Sequence, residues 1–466
     1  MKKIAIVYGR RETPMEKKAI ALLSELLLDY TAERTPCLPL GTEADLADYC
    51  LIYLGTKATL PYLADHPTDC PALPEAYGIR VENGNAVIEG YDEAGLVYGC
   101  MDFYNKYLTA LECPHDPVRF CVDPFRKPLP DFSLSSAPGV RYRGIWTWGH
   151  VIYDWRGFLD NMVKLKMNTV VIWNDHAPVN GADIVRYAHD NGIRVIWGFP
   201  WLWDTNCLKI DVQNCADSID SILEVYEKQY LPLGGDGIYF QSFTELDRED
   251  IGGVLIAKAV TDFVNAGAAR FLEKYPDLEL QFGLHANSVK HKLEYIEKVD
   301  PRVRIVWENC GSFPYSYIPN DVEKFDQTQD FVRTVAALRG EDDRFGLVTK
   351  GLVKLDWPSF EHLQGPVEIG VSSRWMQNNR IERKSRIWRY IQSYWLTSAP
   401  YAHRAVRTFA DAKRGDLYCT ALVEDGMFER NIMFPVALYA EMLWDPHGDT
   451  AAMMNEVGLR RYVSFA

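Results

Sequence analysis

Gly237-Ile238-Tyr239-Phe240-Gln241-Ser242-Phe243-Thr244-Glu245-Leu246-Asp247 begins as an apolar run and ends among polar groups, with a carboxylate near its end. A buried strand that releases an acid at its carboxyl end is how a parallel β/α barrel presents a catalytic group. The stretch therefore predicts a barrel strand. The flanking sequence must then supply the other seven.

Strand-like apolar runs recur at Arg141–Trp146, Thr169–Trp173, Arg194–Phe199, Leu280–Gly283, Arg304–Trp307, Phe345–Thr349 and Val367–Val371. Helical periodicity lies between most of them, at Trp155–Leu165, Asp183–Asn191, Ser218–Tyr230 and Val254–Tyr275. With Gly237–Phe240 as the fourth run, eight strand-helix units fit within roughly 250 residues, the span of a (β/α)8 barrel. A doubly wound open sheet would bind a nucleotide through a glycine-rich phosphate turn. Neither GxGxxG nor a Walker pattern is present. Arg380–Leu396 reads as the helix that closes the barrel at about 398. Residues 399–466 read as a helical extension, clearest at Phe434–Trp444.

A smaller α/β layer precedes the barrel over residues 1–125. Lys3–Tyr8 and Cys50–Leu54 read as strands, and Glu16–Tyr30 as an amphipathic helix. Tyr77–Glu89 reads as a hairpin turning at Asn83-Gly84, followed by a helix from Glu93 to about Leu108. Prolines at 114, 117, 124, 128, 130 and 138 mark a linker. All 13 tryptophans fall from Trp146 to Trp444, so the barrel, expected over 139–398, differs in composition from what precedes it.

Composition narrows the function classes. Apolar residues make up 47% and charged residues 24%, as in a soluble globular protein with a large core. A net charge of −14 argues against nucleic-acid binding, which needs a basic face. No apolar run is long enough to span a membrane. Met1-Lys2-Lys3-Ile4-Ala5-Ile6-Val7-Tyr8 mimics a signal peptide briefly, but Arg10-Arg11-Glu12 interrupts it and a first strand is the better reading. The 10 cysteines show no metal-type spacing and read as reduced thiols of a cytoplasmic protein. No cofactor is expected. Homo-oligomerisation stays open.

The carboxyl ends of the predicted strands release a consistent set of groups. The first gives Trp146, Trp148 and His150, the second Asn174, Asp175 and His176, the third Trp201, Trp203 and Asp204. The fourth gives Gln241, Thr244, Glu245 and Asp247, the fifth His285 and Asn287, the sixth Glu308, Asn309 and Tyr315. The seventh gives Lys350, Lys354, Asp356 and Trp357, and the eighth Ser372, Ser373 and Arg374. Aromatic faces stack on the apolar faces of sugar rings, and carboxylates and amides bind hydroxyls. Glycosidic cleavage needs one protonated carboxyl and a second carboxylate that attacks or activates water. Glu245, Glu308 and Asp356 are the catalytic candidates. Trp146, Trp148, Asn174, Asp175, Trp201, Trp203, His285, Asn287, Tyr315 and Trp357 are candidates for contacting the sugar. Arg143, Lys350, Lys354 and Arg374 would meet a substrate carboxylate.

Each has a structural alternative. Glu245 could serve the start of the following helix, Glu308 could sit in an ion pair, and Asp175 could hold a structural hydrogen bond. Trp173, Trp307, Trp388 and Trp395 are expected to pack in the core, with Trp201 and Trp203 as the better platforms. No HExxH or comparable pair supports a metal, and no GxSxG elbow supports a serine hydrolase.

Two segments resemble a known group of enzymes. Val87-Ile88-Glu89-Gly90-Tyr91-Asp92-Glu93-Ala94-Gly95-Leu96-Val97-Tyr98-Gly99 resembles the end of the small α/β domain that precedes the barrel in α-glucuronidases, β-hexosaminidases and O-GlcNAcase-type enzymes. The shared feature is a hairpin entering a helix with a Gly-x-x-Tyr-Gly element. Tyr142-Arg143-Gly144-Ile145 is similar to their first barrel strand. The resemblance implies a glycoside hydrolase whose general acid, at the end of strand four, is Glu245. In the hexosaminidases an Asp precedes that Glu to steer the substrate's acetamido group, whereas here the residue is Thr244. In the α-glucuronidases later acids act as base, and Glu308 and Asp356 match by strand order. The expectation is an exo-acting glycoside hydrolase. A substrate-assisted β-N-acetylhexosaminidase and a non-catalytic carbohydrate-binding barrel are the alternatives. An aldolase or isomerase would need a phosphate site after strands seven and eight, for which Gly365-Pro366 is a poor match.

Overall fold

A computed structural model describes residues 3–9, 13–42, 46, 48–111, 129–148, 152–174, 176–202, 213–242, 249–285, 292–308, 322–340, 344–353, 365–412, 415–429 and 431–466. The chain forms two compact units. One comprises Met1–Pro138 with Asp190–Gly192 and Ala451–Arg461, the other Gly139–His189, Ile193–Thr450 and Tyr462–Ala466.

The first unit is built on a six-stranded sheet. Its order is Cys37–Pro39, Lys3–Tyr8, Tyr49–Thr56, Asn85–Gly90, Tyr77–Glu82, Phe132–Ser136. Asn83 and Gly84 both take positive φ, 53° and 79°, the geometry a two-residue hairpin turn requires. The helix Pro14–Thr31 starts with a capping box between Thr13 and Glu16 and has Pro14 in its first turn. The helix Glu93–Asp102 is capped by Asp92, whose carboxylate accepts the Gly95 N–H at 2.8 Å. A Cβ at Gly95 would lie 2.0 Å from the Ala76 carbonyl oxygen. The glycine therefore sets how closely this helix approaches the sheet. Phe132–Ser136 corrects the reading of the proline-rich stretch as linker throughout, because it pairs with Tyr77–Glu82 as an edge strand. Its signal in the sequence is short, with only Phe132 and Leu134 alternating with serines between prolines at 130 and 138.

The second unit is a closed parallel barrel of eight strands. In order they are Tyr142–Trp148, Thr169–Trp173, Arg194–Gly198, Gly237–Phe240, Glu279–His285, Val303–Glu308, Phe345–Leu352 and Leu417–Val423. Helices Trp155–Lys164, Gly181–Asp190, Ile256–Lys274 and Val322–Ala336 lie among the crossovers. Seven strands fall where expected. The eighth does not, and the expected barrel end at 398 moves with it. Val367–Val371 is not a barrel strand. It is a strap bound to the loops after strands one and two. Val367 accepts from Val179 N–H at 3.0 Å, Gly370 accepts from Trp155 N–H at 3.1 Å, and Ser372 N–H donates to Tyr153 at 3.0 Å. The Asn180 amide grips Ile369 by both of its backbone groups, at 2.9 and 3.1 Å. Arg374–Ala410 is then one long helix, bent at Ser398 before Pro400. Leu417–Val423 closes the barrel between strands seven and one, and Phe434–Trp444 follows it. Residues 399–466 are therefore not a separate extension. The apolar run at 417–423 is the better strand on sequence too, being longer and free of the charge and glycine that interrupt 367–371.

Strand register sorts the inward side chains into layers. At the amino-terminal end Glu279, Arg304, Arg194, Tyr142 and Tyr418 meet. Above them pack Trp146, Val171, Trp173, Ile196, Tyr239, Val306, Val348 and Leu422, all buried. A Cβ at Gly144 would lie 1.6 Å from the Thr169 carbonyl oxygen. That close approach of strands one and two explains the glycine after Arg143. No helix among the described residues is long and apolar enough to cross a membrane.

Candidate active site at the carboxyl end of the barrel

Glu308 is the last residue of the sixth strand and is 1% exposed. Its carboxylate accepts the Tyr239 hydroxyl at 2.6 Å and the Gln241 amide Nε2. Both donors come from the fourth strand or its carboxyl end, so two strands present one carboxylate. Burial pushes the Tyr239 hydroxyl well above its ordinary range, and the charge and hydrogen bond of Glu308 push it further the same way. Tyr239 therefore stays protonated and donates. His285 stands directly opposite Glu308 in the register of strands five and six.

Other expected residues divide sharply. Glu245, Thr244 and Asp247 lie outside the described residues, as do Asp356, His150, Asp175, Trp203, Asp204, Asn287, Asn309, Tyr315, Lys354 and Trp357. Trp148, His285 and Lys350 occupy strands one, five and seven at or near their carboxyl ends, with side chains outside the description. Asn174 follows strand two and is buried. Trp146 is fully buried in the barrel interior, 6.2 Å from Trp173 and 5.7 Å from Tyr239 between ring centroids. It forms a packed layer rather than a sugar platform.

Three assignments are corrected. Arg143 sits at the amino-terminal end of strand one, not at the carboxyl end. Its guanidinium donates to the backbone carbonyls of Val140, Arg141 and Lys166 at 2.7 to 3.0 Å and lies over the Trp444 ring. It is fully committed to holding the strand. Trp201 is no platform either, being 0% exposed. Its ring stacks on Phe240 at 3.8 Å and on Phe271 at 5.0 Å, while its backbone N–H donates to Gln241 at 2.9 Å. The chain after strand three thus turns the ring towards the helix Ile256–Lys274. Arg374 opens the long helix and is exposed there, because no eighth strand precedes it. Trp173, Trp307, Trp388 and Trp395 are buried as expected.

The misplaced eighth strand hid a second acidic group. Glu424, 4% exposed, directly follows Leu417–Val423 and accepts from the Lys384 ammonium at 2.6 Å. Asp425 accepts the Tyr153 hydroxyl at 2.9 Å. Glu429 is buried and accepts the Tyr153 backbone N–H at 2.7 Å. Burial, opposed by that hydrogen bond and reinforced by the charges of Asp425 and Asp154, pushes the Glu429 carboxyl up to about 8. The signal was present in the sequence. Leu417–Val423 followed by Glu424-Asp425 is an apolar run ending in acids, the same signature as Gly237–Asp247.

No protein-family model matches the chain, and no curated protein matches its sequence. Solved structures do resemble it in fold. The chain superposes over 97% of its length on a GH138 enzyme targeting pectin rhamnogalacturonan II, with 12% identity and a TM-score of 0.55, and covers 52% of that protein. It superposes over 98% on CpGH84B, with 11% identity, a TM-score of 0.54 and 70% of that chain covered. It superposes over 97% on BtGH115A, a family GH115 4-O-methyl-α-glucuronidase with specificity for decorated arabinogalactans. There the identity is 16%, the TM-score 0.51 and the coverage 58% of that chain. The small α/β domain followed by an eight-stranded barrel is thus an architecture found in glycoside hydrolases, and this chain spans about half of the GH138 enzyme.

Proposed function

We propose that the chain is an exo-acting glycoside hydrolase. The observation that carries this reading is Glu308, a buried carboxylate at the carboxyl end of a barrel strand whose described donors, Tyr239 and Gln241, are both neutral. An ionised carboxylate is a pure acceptor, and the Tyr239 hydroxyl and the Gln241 amide fix its direction. Such a group is suited to act as base or nucleophile at an anomeric carbon. Glu245, released by strand four, is the general acid in this reading. Asp356 is the alternative partner from strand seven. Glu424, engaged by Lys384, is a further carboxylate from strand eight.

The division of labour follows from environment. The acid must hold its proton near neutral pH, which burial or a neighbouring carboxylate achieves. In this reading the neighbouring carboxylate is assigned to Glu308. The GH138, GH84 and GH115 architectures support the class of reaction, and the sugar, anomer and linkage follow only from substrates. A panel of aryl α- and β-glycosides, including uronides and N-acetylhexosaminides, tests the reading. Release of the aryl group by the wild-type protein and its loss in Glu245→Gln and Glu308→Gln are expected. Binding without release across the panel would leave a carbohydrate-binding barrel instead. The configuration of the first product, read by NMR, then gives the carboxyl separation: about 5–5.5 Å for retention and about 6.5–9.5 Å for inversion.

A further inference from the structure

The helix Arg374–Ala410 has two unlike faces. Its inner face is tied to the ends of strands seven and eight: Lys384 reaches Glu424, the Trp388 indole donates to the Asp425 carbonyl at 3.0 Å, and Trp395 donates to Gly351 of strand seven at 2.8 Å. Residues 384, 388, 391 and 395 recur at helical spacing along that face. The opposite face carries Trp375, Arg383, Arg386 and Tyr390, with Arg389 at its margin. Trp375 is 74% exposed, and the three arginines are exposed too.

The charge of this segment is the reverse of the chain's. Arg374, Arg380, Arg383, Lys384, Arg386 and Arg389 face a single acid, Glu382, within a protein of net charge −14. Among the described residues, none of Arg374, Arg383, Arg386 and Arg389 forms an ion pair with a carboxylate. Arg383, Arg386 and Arg389 follow one another at three-residue spacing, where like charges repel along a helix. The helix begins with no acid in its first turn, although its dipole favours acids there and disfavours cations. Local stability therefore argues against this pattern. A ligand that the cations meet explains it. Arginine is the side chain suited to bidentate recognition of carboxylates, and interleaved Trp and Tyr faces suit flat, partly apolar rings. Clustered cations of this kind mark surfaces for polyanions.

We infer that the outer face of the helix Arg374–Ala410 is a docking surface for a carboxylate-bearing polysaccharide, held by Arg383, Arg386 and Arg389 with Trp375 and Tyr390 stacking on its sugars. The inference rests on the glycoside-hydrolase reading for the choice of a glycan over other polyanions. It adds a site outside the barrel whose ligand is an acidic glycan chain.

Affinity electrophoresis in gels containing alginate, a linear polyuronate, tests this. Dextran serves as the neutral control and single-stranded oligodeoxythymidine as the non-glycan polyanion. The wild-type protein should be retarded by alginate, not by dextran, and less by the oligonucleotide, with the retardation fading as salt rises. The triple variant Arg383→Ala, Arg386→Ala, Arg389→Ala should weaken alginate retardation by about tenfold. Its turnover of a small aryl glycoside should stay within about twofold of wild type, since the sites are separate. Trp375→Ala should weaken alginate binding while leaving its salt dependence in place. Unchanged alginate retardation in the triple variant overturns the inference, as does equal or tighter oligonucleotide binding. So does a dimer that the triple substitution dissociates in a protein that ignores alginate. Failure of the wild-type protein on every aryl glycoside would sink the hydrolase reading instead, and the alginate result would still decide the surface.

Discussion

Glu279 and Glu308 stand on adjacent strands inside one barrel, at opposite ends and in opposite company. Glu279, at the amino-terminal end, is held by Arg304 and Arg194, both at 2.9 Å, and by the Gln281 amide at 2.8 Å. Burial raises its carboxyl, but the two guanidinium charges and the hydrogen bonds outweigh this and bring it down to about 2. Tyr142 lies beneath both arginines. Glu308, at the carboxyl-terminal end, is met by a phenol and an amide. At one end the charge is cancelled on site. At the other it is oriented by two neutral donors. Closing a barrel end needs the first arrangement, and catalysis in the proposed reaction needs the second.

The sharpest way to break the comparison is to neutralise each glutamate in turn. Glu308→Gln should lower kcat on the best aryl glycoside by about a thousandfold or more, within the span of positioned acid–base or nucleophilic groups. Its melting temperature should hold, since Gln keeps the shape of the side chain and an oxygen that accepts from the Tyr239 hydroxyl. Normal turnover in this variant would end the assignment. Glu279→Gln should do the converse. Buried Arg304 and partly exposed Arg194 lose their counter-charge, a loss of about 3–5 kcal/mol. The melting temperature then falls by about 3–5 °C, while activity per folded molecule stays near wild type at 25 °C. The pH dependence has a definite sign. The Glu279 carboxyl lies lower in the folded chain than in the unfolded one. Its stabilisation is therefore complete above about 4.5 and is lost as pH falls towards about 2. Glu279→Gln should flatten that acid limb in melts taken between those values.

Glu429 supplies a third case, a buried carboxyl whose described donor is a backbone N–H. Its carboxyl is raised in the folded chain to about 8, so folding favours the protonated form. The sign is opposite to that of Glu279. Its contribution is present below about 4.5 and is lost as pH climbs through about 8. Glu429→Gln keeps an acceptor for Tyr153 and cannot ionise. It should raise stability relative to wild type by about 1–3 kcal/mol at pH 8, and leave it unchanged at pH 5. Equal gains at both values would show that packing rather than ionisation sets the difference.

These three glutamates also show what could be read from the sequence. Glu308 was legible because Arg304–Trp307 is an apolar run that ends in an acid, and strand order alone then fixes which end of the barrel it occupies. Glu279 was not, since nothing in the local sequence says that Arg194 and Arg304, far apart in the chain, close on it across the barrel. Glu424 and Glu429 follow an eighth strand that the apolar run Val367–Val371 masks in the sequence, since the strand itself lies beyond the kinked helix Arg374–Ala410. Crossovers of that length are rare enough that an earlier apolar run is the more economical reading. Trp201 and Arg143 failed for a different reason. A residue's place beside a strand says which elements it is near, and only packing decides whether its side chain meets a ligand, a helix or the backbone. The catalytic assignment of Glu245 rests on strand four, which is placed as read, with the acid itself outside the described residues.

The finest discrimination is between the two kinds of donor. Tyr239→Phe removes the hydroxyl bonded to Glu308 and keeps the ring that packs with Trp146 and Trp173 at 5.7 and 5.9 Å. The fold should be untouched. A hydrogen bond to the charged form favours that form, so its loss makes Glu308 harder to ionise. Activity that depends on the ionised carboxylate should then fall away at higher pH than in the wild-type protein. The acid limb of kcat/KM should move up, and kcat should fall by about tenfold at the original optimum, the worth of one hydrogen bond to a charge. A merely structural tyrosine would alter stability and leave the pH profile where it was. An unchanged acid limb would therefore mean that Glu308 is not the group whose ionisation the reaction reads, whatever the rate of the variant.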